Sequence, residues 1–277
     1  MSEVLSAIPR YEVEAVVLAH ERVIGSEFEI VLSAPEVARV AQPGQFVELL
    51  FGEHYAPLIR RPFSLFGVDR EAETFRILYV ARGSFTSALA EKRPGDSVSL
   101  LGPLGNPFHF VPNRRPLLIA GGIGAPPILF LAREMCQVYG IAPQSIRVIN
   151  AARTQDLLVG MVEFEALGVD LQAVTEDGSQ GYRGRATDLI PEPNVEGQSW
   201  AIYSCGPMPM LRAIGNIALK QNTPCQLSVE TSMPCGVGFC YGCTIPVHDL
   251  ASPEGFRYAR ACVEGPVFEA RDLLWKE

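Results

Sequence analysis

The sequence predicts a multidomain β plus α/β protein, with an antiparallel β-barrel over residues 1–110, a parallel α/β unit over 111–225 and a small cysteine-rich domain over 226–277. Three observations predict it. Short apolar runs separated by turn formers fill the first third, the pattern of a closed antiparallel sheet. Strand-like and helix-like segments then alternate, as they do in parallel sheets covered by helices. Finally, four of the seven cysteines crowd into the C-terminal part at spacings that chance would not give.

The totals set the outer limits. At 277 residues, length alone allows about two domains with sizeable cores. A hydrophobic content of 48% with 19% charged residues describes an ordinary globular chain, and a net charge of −8 argues against a nucleic-acid binder. Seven cysteines without a signal-peptide pattern point to a reducing compartment, with the cytoplasm as the default. The uncharged stretch 116–132 is short for a bilayer and is broken by Gly121, Gly122, Gly124, Pro126 and Pro127. It therefore reads as a buried strand, turn and helix.

Taken in order, residues 1–10 form a loose leader, and strands are expected at 11–18, 28–33, 45–50, 62–66, 75–80 and 97–101. Pro43-Gly44 and Pro94-Gly95 supply turns between them, and 84–92 reads as a helix. Within this barrel, Arg60-Arg61-Pro62-Phe63-Ser64 sets a basic pair and a hydroxyl around a fixed turn. A cation and a hydroxyl so placed could stabilise a flavin ring or its phosphates, and a solvated arginine pair is the competing reading. The helix that follows Gly83-Ser84 presents backbone N–H groups suited to a pyrophosphate, or it is an ordinary glycine turn with a serine cap. Residues 102–108, dense in glycine and proline, read as the link to the next domain.

From Arg115 the pattern changes. Strands are expected at 116–120, 145–150, 170–175 and 200–205, with helices at 128–139, 162–167 and 209–220. Ligands of such sheets bind at the carboxyl ends of the strands. Two strand ends carry turns of the right kind, Gly121-Gly122-Ile123-Gly124 and Cys205-Gly206-Pro207-Met208. Their glycines would let a nucleotide approach, although close strand–helix packing needs glycine too. Cys205 stands where a nicotinamide could meet a flavin, or it is a small buried apolar residue, the reading that fits Cys136 and Cys225. The acidic turn 175–179 is either a nucleotide contact or a solvated loop, and the histidines, His54 among them, share no ligand spacing.

The last part carries the most specific signal. Four residues separate Cys235 from Cys240, two separate Cys240 from Cys243, and Cys262 follows after eighteen more. This is the plant-type spacing for a 2Fe-2S cluster, whose bridging sulfides accept hydrogen bonds from closely approaching backbone N–H groups. Gly236, Gly238 and Gly242 would permit that approach by reaching positive φ. A structural zinc site is the alternative, but zinc more often takes two C-x2-C pairs, and here there is one.

Together these motifs, with the ending Cys262-Val263-Glu264-Gly265-Pro266-Val267-Phe268, resemble the ferredoxin-NADP reductase superfamily over nearly the whole chain. Within it they resemble the FAD and 2Fe-2S electron-transfer subunits of NAD-dependent dihydroorotate dehydrogenase. The resemblance implies FAD contacts at Arg61, Pro62, Phe63, Ser64, Leu78, Tyr79, Val80, Gly83 and Ser84. It implies cluster ligation by Cys235, Cys240, Cys243 and Cys262, and nicotinamide contacts at the Gly121 and Cys205 loops, with Cys205 in a catalytic position. The stretch between Cys243 and Cys262 is longer than the family pattern. The resemblance further implies electron flow from an FMN-containing catalytic subunit that oxidises dihydroorotate, through the cluster and FAD, to NAD, in pyrimidine biosynthesis. It implies a heterotetramer of two copies of each subunit. Two other functions use the same residues: the electron-transfer subunit of another complex (a ferredoxin-dependent transhydrogenase, sulfide dehydrogenase or hydrogenase), and a docking module with zinc on the cysteines.

Overall fold

Alternating side chains build the first sheet, because successive residues of a strand face opposite sides and only one face needs to be apolar. The computed structural model describes residues 9–51, 59–192 and 199–275, so that most of the expected leader, and His54, lie outside the described residues. The first unit comprises β1 (Tyr11–Ile24), β2 (Glu27–Ser33), α1 (Pro35–Ala38), β3 (Phe46–Leu50), β4 (Arg61–Ser64), β5 (Gly67–Asp69), β6 (Thr74–Val80), α2 (Ser84–Leu89) and β7 (Ser97–Leu104). Its strands form one antiparallel sheet in the order β4-β3-β7-β1-β2-β6-β5.

Covalent connectivity curls this sheet. Its two edge strands, β4 and β5, are separated in sequence only by Leu65 and Phe66. A link of that length spans about 10 Å at most, so the edges must come together. Leu65 N–H donates to Gln45 O and Phe66 N–H to Arg76 O, which bridges the seam. Inside lie Val17, Ile30, Leu49, Phe75, Ile77 and Leu100, all fully buried.

Several boundaries differ from expectation, and β1 runs six residues past its expected end at 18. The run expected at 62–66 ends as a strand at Ser64, and Leu65 and Phe66 form the seam ahead of β5. The helix expected at 84–92 ends at Leu89, after which the N–H groups of Glu91 and Lys92 donate to Ala88 O and Leu89 O in tighter turns. The glycine- and proline-rich stretch expected as a connector is instead partly the end of β7, where Leu104 pairs with Phe46 beyond an irregularity in register.

The second unit begins with β8 (Arg115–Gly121), α3 (Ala125–Gln137), β9 (Arg147–Ala152), α4 (Met161–Leu167), β10 (Asp170–Thr175) and β11 (Tyr182–Arg183). It continues with β12 (Trp200–Cys205), α5 (Met208–Lys220) and β13 (Cys225–Ser228). Helix α3 starts three residues earlier than expected, since Pro126 and Pro127 fit the first turn, where no N–H needs an intrahelical partner. No helix among the described residues is long and apolar enough to cross a membrane.

After the cysteine-bearing loop come β14 (Thr244–His248), β15 (Phe256–Arg260), α6 (Ala261–Glu264) and β16 (Val267–Glu269). β14 and β15 pair as an antiparallel hairpin, which is what the long stretch between Cys243 and Cys262 forms. The second sheet runs β11-β10-β9-β8-β12-β13-β16, parallel except for β16, which returns antiparallel to β13. β13 crosses the boundary expected at residues 225 and 226, and the chain after the hairpin re-enters the nucleotide-type sheet. An ion pair between Arg70 and Glu134 at 2.7 Å ties α3 to the barrel. Arg133 adds to this joint by lying over the Phe66 ring at 4.8 Å and donating to Phe66 O at 3.2 Å.

Candidate functional site

The parallel strands end at a cleft of about 870 Å³ that the barrel closes from the other side. Gly121 ends β8 and Gly122 follows it, Arg153 follows β9, Glu176 follows β10, Pro207 follows β12 and Glu230 follows β13, and all line it. Ser26, Glu27, Val80 and Arg82 of the barrel form the opposite wall. The parallel topology itself produces this gathering, since every crossover returns the chain to the same end of the sheet.

The expected glycine turn and the Cys205-Gly206-Pro207 turn lie back to back. A Cβ on Gly124 would stand 2.4 Å from the Cys205 carbonyl oxygen and 2.5 Å from its carbon, so only glycine allows this approach. Gly124 thus serves packing, while Gly121 and Gly122 face the cleft. The Cys205 thiol, expected at the mouth of the sheet, is only 4% exposed and is absent from the cleft lining. Burial, followed by the charge of Glu230, pushes it up to about 12, so it is a neutral group at ordinary pH.

Three cleft carboxyls, Glu27, Asp156 and Glu230, were not singled out from the sequence. Glu27, at 7% exposure, is pushed up to about 7 by burial and by Glu163, with Arg82 opposing. Glu230 is raised by burial as well. Their sequence signal is weak: Glu27 opens a strand that alternates charged and apolar residues, and Glu230 follows a short one.

The expected flavin strand divides by direction. On β4, Arg61 and Ser64 are exposed and Pro62 is half-buried. Phe63 instead points into the barrel, its ring 5.9 Å from both Tyr79 and Phe85. Leu78 and Tyr79 are buried too, at 4% and 3% exposure, which corrects any expectation that their side chains face a ligand. Tyr79 is engaged elsewhere. The His20 ring donates from Nδ1 to Lys92 O at 2.8 Å, so its neutral Nε2 accepts from the Tyr79 hydroxyl at 2.9 Å. Val80 lines the cleft. Gly83 caps α2 and Ser84 opens it, and the Thr86 hydroxyl accepts from the N–H groups of Arg82 and Gly83 at 2.9 and 3.0 Å.

The four cysteines expected as cluster ligands meet in two pairs. Cys243 and Cys262, both about 1% exposed, bring their sulfurs to 3.3 Å. Across the loop, the Cys240 N–H donates to the Cys235 sulfur at 3.4 Å. Burial pushes the Cys235 thiol up, but the N–H groups of Cys240, Val237 and Phe239 outweigh it and leave the thiol lowered to about 7. Among the described residues no three or more potential ligands gather as one mononuclear site. Two thiols per iron is the donor arrangement a two-iron cluster needs, so these residues fit one.

Of the three glycines expected at positive φ, Gly236 and Gly238 adopt it, at 65° and 81°. At the third turn the left-handed residue is Tyr241, not Gly242, and the Arg260 guanidinium covers its ring at 5.2 Å. Both are tight: a Cβ on Gly238 would meet Val263 Cγ2 at 2.6 Å, and one on Gly236 would meet Glu48 Cγ at 2.7 Å. The cluster loop is therefore pressed directly onto β3 of the barrel.

Comparisons with known proteins agree with this geometry. Residues 230–274 match the family model for the iron-sulfur cluster binding domain of dihydroorotate dehydrogenase B. Among solved structures, the fold is similar to that of an NADH-dependent reduced ferredoxin-NADP oxidoreductase. The TM-score is 0.79 at 27% identity, covering 94% of this chain and 90% of the other. A ferredoxin reductase in carbazole 1,9a-dioxygenase shares the fold at a TM-score of 0.65 and 22% identity, over 79% of this chain and 68% of that one. Two curated relatives are named dihydroorotate dehydrogenase B (NAD(+)), electron transfer subunit. That of Geobacillus kaustophilus (strain HTA426) is 37% identical, covering 94% of this chain and 98% of its own length. That of Caldanaerobacter subterraneus subsp. tengcongensis is 34% identical, covering 96% and 100%. With such identity over nearly the full length of both partners, the chain belongs to the family of dihydroorotate dehydrogenase B electron transfer subunits.

Proposed function

We propose that this chain passes electrons between the catalytic subunit of a dihydroorotate dehydrogenase and NAD, using FAD on β4, NAD in the cleft and a 2Fe-2S cluster on Cys235, Cys240, Cys243 and Cys262. The observation that carries the reading is the pairing of those thiols on a loop packed against the barrel strand that neighbours β4. When bound, FAD supplies the exchange between two-electron hydride chemistry and the one-electron chemistry of the cluster.

The chain's own residues do the rest. β4 offers Ser64 as a hydrogen-bonding hydroxyl on its outward face, and from the other face, which the buried Phe63 anchors, the exposed Arg61 reaches over the Phe85 ring at 5.7 Å and offers a cation. Gly121 and Gly122 let a nucleotide approach the sheet, and the barrel wall from Ser26 to Arg82 shields it from water. Cys205 acts as a small neutral wall behind the nicotinamide pocket rather than as a thiolate. Dihydroorotate oxidation belongs to the FMN-containing partner, which we place in a heterotetramer of two copies of each subunit. Free thiols for four cluster bonds suit a reducing compartment, and we assign the cytoplasm.

The test is an absorbance spectrum of anaerobically purified protein with iron, sulfide and flavin counts. Flavin bands with about two irons and two sulfides per chain support the reading, followed by dihydroorotate-dependent NAD reduction once the partner is added. A colourless protein that takes up zinc, but neither cluster nor FAD on reconstitution, would overturn it.

A further inference from the structure

The four thiols come from two segments, the loop from Cys235 to Cys243 and the short helix α6 that carries Cys262, with the β14–β15 hairpin between them. What holds the first segment onto the second differs between its ends. At the inner end, Cys243 and Cys262 are both buried, and the Ala261 N–H donates to Cys243 O at 3.1 Å. At the outer end, Cys235 is half-buried and Cys240 exposed. Val237, Phe239 and Tyr241 around them face solvent too, Phe239 to 85%. Apolar burial, which fixes most loops of this length, contributes little there.

The Arg260 side chain spans the gap. Arg260 ends β15, opposite Thr244 in the hairpin and two residues before Cys262. Its guanidinium donates to Gly238 O at 3.1 Å, between Cys235 and Cys240, and lies over the Tyr241 ring at 5.2 Å, just beyond Cys240. The two contacts therefore bracket Cys240. Glycine at 238 leaves room for the approach, since a Cβ there would already stand 3.3 Å from the guanidinium nitrogen.

The base from which Arg260 reaches is itself tied down. Its N–H donates to Glu264 Oε1 at 3.0 Å, and the Asn106 side-chain amide donates to Glu264 O at 2.9 Å, fastening α6 to the end of the barrel. A guanidinium suits the task, because its planar fork of donors also presents a flat face to an aromatic ring.

We propose that Arg260 is a positioning residue for the cluster, clamping the exposed half of the three-cysteine loop onto the segment that carries Cys262. It acts through the Gly238 carbonyl and the Tyr241 ring, not by touching sulfur or iron. The inference rests on the reading of the four cysteines as 2Fe-2S ligands. An outer loop that swings open admits water and chelators to the metal, so the clamp governs how long a cluster is retained.

The experiment follows chelator-driven bleaching of the cluster in anaerobically purified holoprotein, comparing wild type with Arg260→Lys, Arg260→Gln and Arg260→Met. Iron release should be about tenfold faster in Arg260→Met, which loses a charged hydrogen bond and the ring contact together. Arg260→Gln, whose amide stops short of Gly238 O, should match it and carries the comparison if the apolar variant does not fold. Arg260→Lys keeps a donor of similar reach and should stay within about threefold of wild type. Hydrogen exchange read by mass spectrometry should rise across residues 236–242 in the glutamine and methionine variants, with the β14–β15 hairpin and the barrel unchanged. Either variant purified with flavin but without iron, where Arg260→Lys keeps its iron, is the same result at its limit. Equal release rates in all four proteins would overturn the proposal. So would faster exchange throughout the hairpin and barrel, or loss of flavin together with iron, since Arg260 would then support the fold at large. A wild-type protein that binds no iron would instead sink the cluster reading on which the clamp rests.

Discussion

Replacing Glu27 by glutamine should remove a pH-dependent destabilisation built into the cleft. Burial, aided by Glu163 on α4 and opposed by Arg82, raises this carboxyl from 4.5 to about 7. The sign follows from proton binding in the two states. Below pH 4.5 both folded and unfolded chains hold the proton, and the residue contributes no pH dependence. Between 4.5 and about 7 the unfolded chain releases it while the folded chain keeps it, so stability falls as pH rises, by up to about 1.4 kcal/mol per pH unit. Above 7 both are ionised, and the full cost of about 3 kcal/mol is present. For a chain of 277 residues that corresponds to about 5 °C in melting temperature. Thermal unfolding of wild type and Glu27→Gln at pH 5 and pH 8, at matched cofactor loading, reads the effect as a larger gain for the variant at pH 8. A constant difference between the two proteins across that range would refute the reasoning.

Three further outcomes follow from the same geometry. Gly124→Ala should drive the β8 turn away from the Cys205 carbonyl, costing about 1–3 kcal/mol of stability and weakening NADH binding measured by calorimetry. Cys243→Ser should lower iron and sulfide content while leaving flavin content intact, whereas Cys136→Ser should leave both unchanged by elemental analysis. Tyr79→Phe should cost about 1 kcal/mol, or about 2 °C of melting temperature, by leaving the part-buried His20 ring nitrogen without its partner.

Much of the fold could be read because local chemistry dictated it. Gly44 and Gly95, at φ of 92° and 95°, occupy the turns that Pro43-Gly44 and Pro94-Gly95 announce, and those turns separate the barrel strands. The spacing of Cys235, Cys240 and Cys243 needed no tertiary information, because the three share a single short loop, whereas Cys262 reaches Cys243 only once the β14–β15 hairpin has folded. Other features depended on what lies across the fold. Phe63, Leu78 and Tyr79 sit in a motif that resembles flavin contacts, yet strand pleat turns Phe63 and Tyr79 into the barrel core, while Leu78, on the other face of β6, is buried against the second unit. The burial of Cys205 depends on Gly124, eighty-one residues earlier. Glu48 did leave a trace, an acid amid Phe46, Val47, Leu49 and Leu50, but alternation alone would have put it in water. The three-residue strand β16 is too short to carry a period, and only its partner β13 makes it a strand.

That last strand changes what kind of module the cluster segment is. Val229 N–H donates to Pro266 O at 2.9 Å, so the chain leaves the sheet and re-enters it at neighbouring points. Evolution or an engineer could thus replace everything between them as a cassette, with a tight turn joining the two stubs, and the nucleotide sheet would keep its outer strand. Truncation from the C-terminus offers no such economy: a stop codon before Val267 would uncover the β13 edge and invite aggregation through unpaired backbone. The iron-binding element is therefore better understood as an interchangeable insert than as an appended tail.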